Sequence, residues 1–223
     1  KEVRSNFHRR FTKLAEMRTS WDELLNSAME KPAFNQFWNM TVKNKLPKLT
    51  YPKFEQGTSI ATRKAFGCTL DKFATQLPHL VGGSADLEPS NYTSNFATTY
   101  GDFSKSNPSG RNIAFGVREF PMGTICNGLA HHGGLIPFGG TFLVFCDYSR
   151  PAIRLSAIQN LHVIYEFTHD SFYVGEDGPT HQPVEHIMSL RVIPDLNVYR
   201  PADAKETAAS MECILQDTFT PSV

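Results

Sequence analysis

From about residue 58 onward, short apolar runs of β-type residues alternate with longer stretches of helical period, and that alternation leaves few folds open. Strand followed by helix followed by strand gives an α/β fold, a parallel sheet flanked by helices. The candidate strands are 79–82, 112–117, 161–167 and 196–200, each ending at polar or glycine-rich residues. Pro121 opens a helix that runs to Gly133-Gly134, with proline at the start and glycine at the stop. Asp203-Ala204-Lys205-Glu206 resembles a capping box ahead of an alanine-rich helix reaching Gln216. A helical run from Ser59 to about Gln76 precedes the first strand, and residues 88–111, rich in Ser, Asn, Thr and Gly, read as a long loop. Before residue 58 the chain is charged, with aromatics interspersed at helical spacing, so residues 1–57 read as a helical connector and 58–223 as the main domain.

Charge narrows the partners. Lys and Arg number 22, as do Asp and Glu, so no basic footprint for nucleic acid or anionic lipid exists. The longest apolar runs, such as 140–146, fall far short of the roughly 20 residues that cross a bilayer. Cys68, Cys126, Cys146 and Cys213 form no C-x-x-C pair and suit buried thiols in a reducing, cytoplasmic compartment. The opening Lys1-Glu2-Val3-Arg4 reads as a boundary within a longer protein, not a targeting signal.

In open α/β sheets, ligands bind beyond the carboxyl ends of the strands. Those ends carry Gly83-Ser84-Ala85-Asp86, Arg118-Glu119 and Thr168-His169-Asp170. Glu119 either complements the dipole of the helix it precedes or is a buried carboxylate that hydrogen-bonds a ring nitrogen; spacing does not choose. Phe142, Phe145 and Tyr148 recur every third residue, as on one side of a helix starting after Gly139-Gly140, and such a stripe is either core or a stacking pocket for a flat ring. The segment Gly175-Glu176-Asp177-Gly178-Pro179-Thr180-His181-Gln182-Pro183 packs carboxylates, a histidine and glycines into a rigid turn before a helix near Pro183. It is either a solvated cap or the rim of a site. His169 and His181 suit proton handling near neutral pH, or are ordinary histidines. The adjacent pair His131-His132 lacks metal-ligand spacing, and no protein-ligated metal is expected. No Gly-x-Ser-x-Gly elbow, phosphate-binding loop or dinucleotide fingerprint occurs.

These strings, with Val81 to Leu87, Gly116 to Phe120, Gly140 to Leu143, Thr168 to Ser171, Gly175 to Pro183 and Arg200 to Asp203 in that order, resemble transketolase motifs over residues 58 to the end. The resemblance implies a thiamine-diphosphate enzyme of the pentose phosphate pathway that moves a two-carbon ketol unit from a ketose phosphate to an aldose phosphate. It implies that Glu119 contacts the aminopyrimidine ring and promotes the tautomer that takes the proton from thiazolium C2. Phe142, Phe145 and Tyr148 would form the pocket around that ring. Arg63 and Ser90 resemble residues that hold the substrate phosphate, with His169 beside them. Asp177 resembles the residue that recognises an acceptor hydroxyl, while His181 and Asp86 line the reacting centre.

Two parts of the family pattern are not found in this chain. The family binds the diphosphate and its Mg2+ (or Ca2+) through an N-terminal domain with a Gly-Asp-Gly motif, which nothing here matches. It also continues beyond Thr220-Pro221-Ser222-Val223, so the pyrimidine domain reads as C-terminally incomplete. Transketolases are homodimers whose cofactor lies between subunits, and a chain of this content alone is expected to be inactive. Rival readings are another thiamine-diphosphate synthase and a catalytically silent assembly subunit; Thr168 to Pro183 disfavours the deoxyxylulose-phosphate type, and Glu119, His169 and His181 together disfavour the silent one.

Overall fold

The computed structural model describes residues 1–223 apart from the side chain of Phe172. The chain divides into two compact units, Lys1–Lys45 and Leu46–Val223.

The first unit is a helical hairpin of α1 (Glu2–Met29) and α2 (Pro32–Thr41). Pro32 opens α2, where its missing N–H would have had no intrahelical partner. The helices meet through Trp21 and Trp38, whose ring centroids lie 6.3 Å apart, and Phe34 stacks on Trp38 at 5.8 Å. Val3, Phe7, Phe11, Leu14, Met17, Trp21 and Leu24 recur along α1 every three or four residues, and all are exposed.

The second unit is the expected α/β domain. Its elements run α3 (Thr62–Ala74), β1 (Leu80–Ser84), α4 (Glu88–Asn91), α5 (Ser94–Tyr100), α6 (Glu119–His132), β2 (Ile136–Phe142), α7 (Cys146–Ile158), β3 (Ile164–Thr168), α8 (His186–Arg191) and α9 (Ala204–Gln216). The sheet is parallel in the order β1-β2-β3. Leu80 pairs with Ile136 and Ser84 with Gly140, while Phe138 pairs with Ile164 and Phe142 with Thr168. Helices α6 and α7 pack together behind Met122, Cys126, Ile153, Val163 and Tyr165. Tyr165 pins this layer, because its buried hydroxyl donates to Asn127 Oδ1 at 3.0 Å while Asn127 Nδ2 donates to the Ala152 carbonyl at 2.8 Å. Toward α5, Phe138 meets Phe96 edge-on at 5.1 Å. Burial of each such side chain contributes about 1.5–3 kcal/mol.

Four expectations are corrected. The run 136–142, absent from the candidate strands, is the middle strand. Residues 112–117 and 196–200 are not strands; they contribute isolated bridges, Gly82 to Asn112 and Asn197 to Ser222. The stretch 88–111 holds α4 and α5. The aromatic triplet does not lie on one helix: Phe142 ends β2, Phe145 closes a turn of 3-10 helix (Leu143–Phe145), and Tyr148 is in the first turn of α7.

Helix punctuation follows the sequence more closely. Helix α6 stops at Gly133, which takes a left-handed φ of 84°. At α9 the Asp203 carboxylate accepts from the N–H groups of Lys205 and Glu206, and Glu206 reaches back to the N–H of Ala202. The helix expected near Pro183 begins at His186, after a 3-10 turn at Pro179–His181.

Candidate active site

The carboxyl ends of β1 and β3 each pass into a non-glycine residue with positive φ, Asp86 at 65° and His169 at 55°. Such conformations are uncommon outside glycine, and they concentrate where surrounding structure over-determines them. His169 is held from both sides. Arg63 Nη1 lies 3.1 Å from its Nε2, and Thr168 Oγ1 lies 2.9 Å from its Nδ1. Arginine can only donate, so Nε2 is the bare nitrogen and Nδ1–H donates to Thr168. Thr168 Oγ1 then donates to Asn91 Oδ1 at 2.8 Å, Asn91 Nδ2 donates to Ser84 Oγ at 3.0 Å, and Ser84 Oγ donates to the Gly140 carbonyl at 3.1 Å. One directed chain of hydrogen bonds thus links α3, β3, α4, β1 and β2.

Burial first, and then the Arg63 cation, lowers the His169 pKa, while Asp177 pulls it back up. A neutral imidazole is what the bond from Arg63 requires. Arg63 Nη1 also donates to the Ser90 carbonyl at 3.2 Å, and its guanidinium lies 5.6 Å from the Tyr92 ring centroid. The cation is therefore pre-positioned, with donors left for an anion.

Phe142 lies against the His169 ring with centroids 3.7 Å apart. Phe145 stacks on Phe142 at 5.8 Å, nearly parallel, and Tyr148 follows at 6.0 Å. The His181 ring meets Phe145 edge-on at 5.3 Å and Phe142 at 6.3 Å. Three aromatic steps therefore climb from a buried Phe142 to a solvent-facing Tyr148, which is 64% exposed.

Arg63, Ser90, Phe142, His169, Asp177 and His181 share the walls of one open cavity of about 680 Å³. Glu119, Asp86, Phe145 and Tyr148 do not line it; Phe145 adjoins it through His181. Glu119 is the first residue of α6, only 8% exposed, and its carboxylate makes no hydrogen bond or ion pair among the described residues. Asp177 and Asp86 are solvent-facing.

The sequence reading named Thr168 only as a strand-end residue and missed Asn91 and Glu166. Thr168 and Asn91 carry the hydrogen-bond chain, and Glu166 is a buried carboxyl on the cavity wall with neither oxygen partnered. Burial pushes the Glu166 pKa well up, and Arg63 offsets part of that. A lone acid within an apolar strand run was the available signal for Glu166.

The domain is thus a parallel α/β domain whose strand ends gather a stepped aromatic wall, a buried carboxylate and a held arginine, the place where open α/β sheets bind ligands. Residues 58–223 match the family model described as the transketolase pyrimidine-binding domain, and the chain belongs to that family. It is 48% identical over 213 residues to the transketolase of Geobacillus stearothermophilus, covering 93% of this chain and 31% of that protein. It is 50% identical over 194 residues to that of Bacillus subtilis, covering 86% and 29%. Among solved structures, transketolase from Leishmania mexicana superposes with a TM-score of 0.86 at 44% identity, covering 95% of this chain and 32% of that one. The chain spans about a third of the length of the curated relatives it matches.

Proposed function

We propose that this chain is the pyrimidine-side portion of a transketolase, carrying the residues that activate thiamine diphosphate and grip the phosphate of a sugar substrate. The observation that carries the reading is the adjacency of the Arg63–His169 pair to the aromatic wall, which sets an anion site beside a flat-ring site. The partnerless Glu119 and the exposed Tyr148 fit the aminopyrimidine end of the cofactor. When bound, that cofactor supplies carbanion chemistry that protein side chains lack. Glu119 holds the proton balance at a ring nitrogen, and Phe142, Phe145 and Tyr148 orient the ring. Arg63, with Ser90 and His169, takes the phosphate; Asp177 meets an acceptor hydroxyl; His181 and Asp86 border the reacting carbon.

In this reading residues 1–57 are the connector from a diphosphate-binding domain that holds Mg2+ or Ca2+, and the exposed stripe on α1 suits cover by another surface. Exposed Val117, Phe120, Ile125 and Tyr148 suit a homodimer with shared sites. The chain alone is then inactive, and the whole enzyme transfers ketol units between sugar phosphates in the pentose phosphate pathway of the cytoplasm. Among the described residues no helix is long and apolar enough to cross a membrane, and the balanced charge offers nucleic acid little.

The phosphate half of the reading is tested by titrating inorganic phosphate into 15N-histidine-labelled chain. The His169 ring resonances shift in a saturable way, and the shift disappears in Arg63→Ala. A His169 resonance indifferent to phosphate in the wild type contradicts the assignment.

A further inference from the structure

Helix α8 opens with Glu185 at its cap and His186 as its first residue, and the first turn of α7 carries Asp147. The His186 imidazole is only 4% exposed, yet neither of its nitrogens makes a hydrogen bond among the described residues. An unsatisfied buried polar group costs about 1–3 kcal/mol. The ring is nevertheless aimed at acids: Nε2 lies 3.3 Å from Asp147 Oδ2, and Nδ1 lies 3.9 Å from Glu185 Oε2. One donor atom from each of the three residues falls within 4.8 Å of the others.

The alignment is poor for hydrogen bonding, but the 3.3 Å between Nε2 and Asp147 Oδ2 suits two ligands of one metal, with a Glu185 oxygen within 4.8 Å as the third. Two ligands held at about 2.0–2.1 Å from a tetrahedral zinc lie roughly 3.3 Å apart. Asp147 is also oriented for the task. Its Oδ1 is taken by Arg150 Nη2 at 3.3 Å, and Arg150 is itself anchored on the Ser189 carbonyl at 3.1 Å and the Ser189 hydroxyl at 2.5 Å. That arrangement fixes the carboxylate and leaves Oδ2 facing the histidine.

We propose that Asp147, Glu185 and His186 form a binding site for a divalent transition ion, with Zn2+ the ion its donors suit best. An imidazole nitrogen beside two carboxylates disfavours Mg2+ and Ca2+, which take oxygen ligands, and suits borderline ions. Both carboxylates are exposed, so the ion enters from solvent, and water completes its coordination. Asp147 immediately precedes Tyr148, and α8 follows the segment bearing Asp177 and His181. Bound zinc therefore staples the turn beneath the aromatic wall to the helix that ends the rim loop.

The test is calorimetric titration of Zn2+ into the metal-free 223-residue chain, with Cys68→Ser and Cys213→Ser as background to remove the accessible thiols. Wild type binds one ion, and His186→Gln and Asp147→Asn each weaken binding by at least about 30-fold. Zinc also raises the melting temperature of wild type but of neither variant, and in 15N-histidine spectra the ring that shifts is His186. Each variant is checked for unchanged circular dichroism without metal, so that misfolding of one leaves the other decisive. Binding that survives both substitutions, or absence of one-to-one binding in wild type, overturns the site.

Discussion

Glu166 sits midway along β3 with its carboxyl over the α-carbon of Gly140, close enough that a Cβ there would come within 2.5 Å of Oε2. Burial favours the protonated form, so the folded chain holds a proton that the unfolded chain releases. The folded-state pKa is raised; stability contributed by the neutral acid is full below the ordinary carboxylate range and is lost as pH rises toward the folded-state value. Glu166→Gln, neutral at every pH, removes that slope. Urea unfolding should show the variant gaining on the wild type as pH rises above the ordinary carboxylate range; parallel stability profiles would mean that Glu166 is not buried as described. At this scale the place of His169 on the cavity wall was legible because polar residues ending an apolar run have a position that topology fixes. Glu166, Asn91 and the hydrogen-bonding role of Thr168 were not, because their meaning comes from partners distant in sequence.

Strand β2 shows why element boundaries resist reading. Ile136-Pro137-Phe138-Gly139-Gly140 looks like a turn, yet each breaker has a tertiary cause. The β3 ladder begins at the Phe138 pair, so Pro137 lies ahead of it and its missing N–H removes no bond there. A side chain at Gly139 would press on Met122 of α6, and one at Gly140 on Glu166. Close approach, rather than a turn, selected the glycines. The α6–α7 crossing uses the same device, since a Cβ on Gly123 would lie 2.7 Å from the Ala152 methyl. Gly123→Ala is expected to destabilise by about 1–3 kcal/mol despite the better helix propensity of alanine. Calorimetry reading an unchanged or raised melting temperature would refute that packing. By contrast, α6 and α9 were legible because proline, glycine and aspartate act locally at helix ends.

At the scale of the molecule, the parallel fold and family membership followed from the order of the motifs along the chain. Arg63, Ser90 and His169 line one cavity wall, while Glu119 and Tyr148 stand outside it. The decisive measurement is ketol transfer, from a ketose phosphate to an aldose phosphate with thiamine diphosphate and Mg2+, by a chimera in which this chain replaces the matching third of a curated relative. The chimera is compared with its Glu119→Ala variant, both shown to be folded dimers. Transfer that falls by at least about 100-fold in the variant is the predicted result; equal activity in the two would contradict the assignment of Glu119 and with it the proposed site.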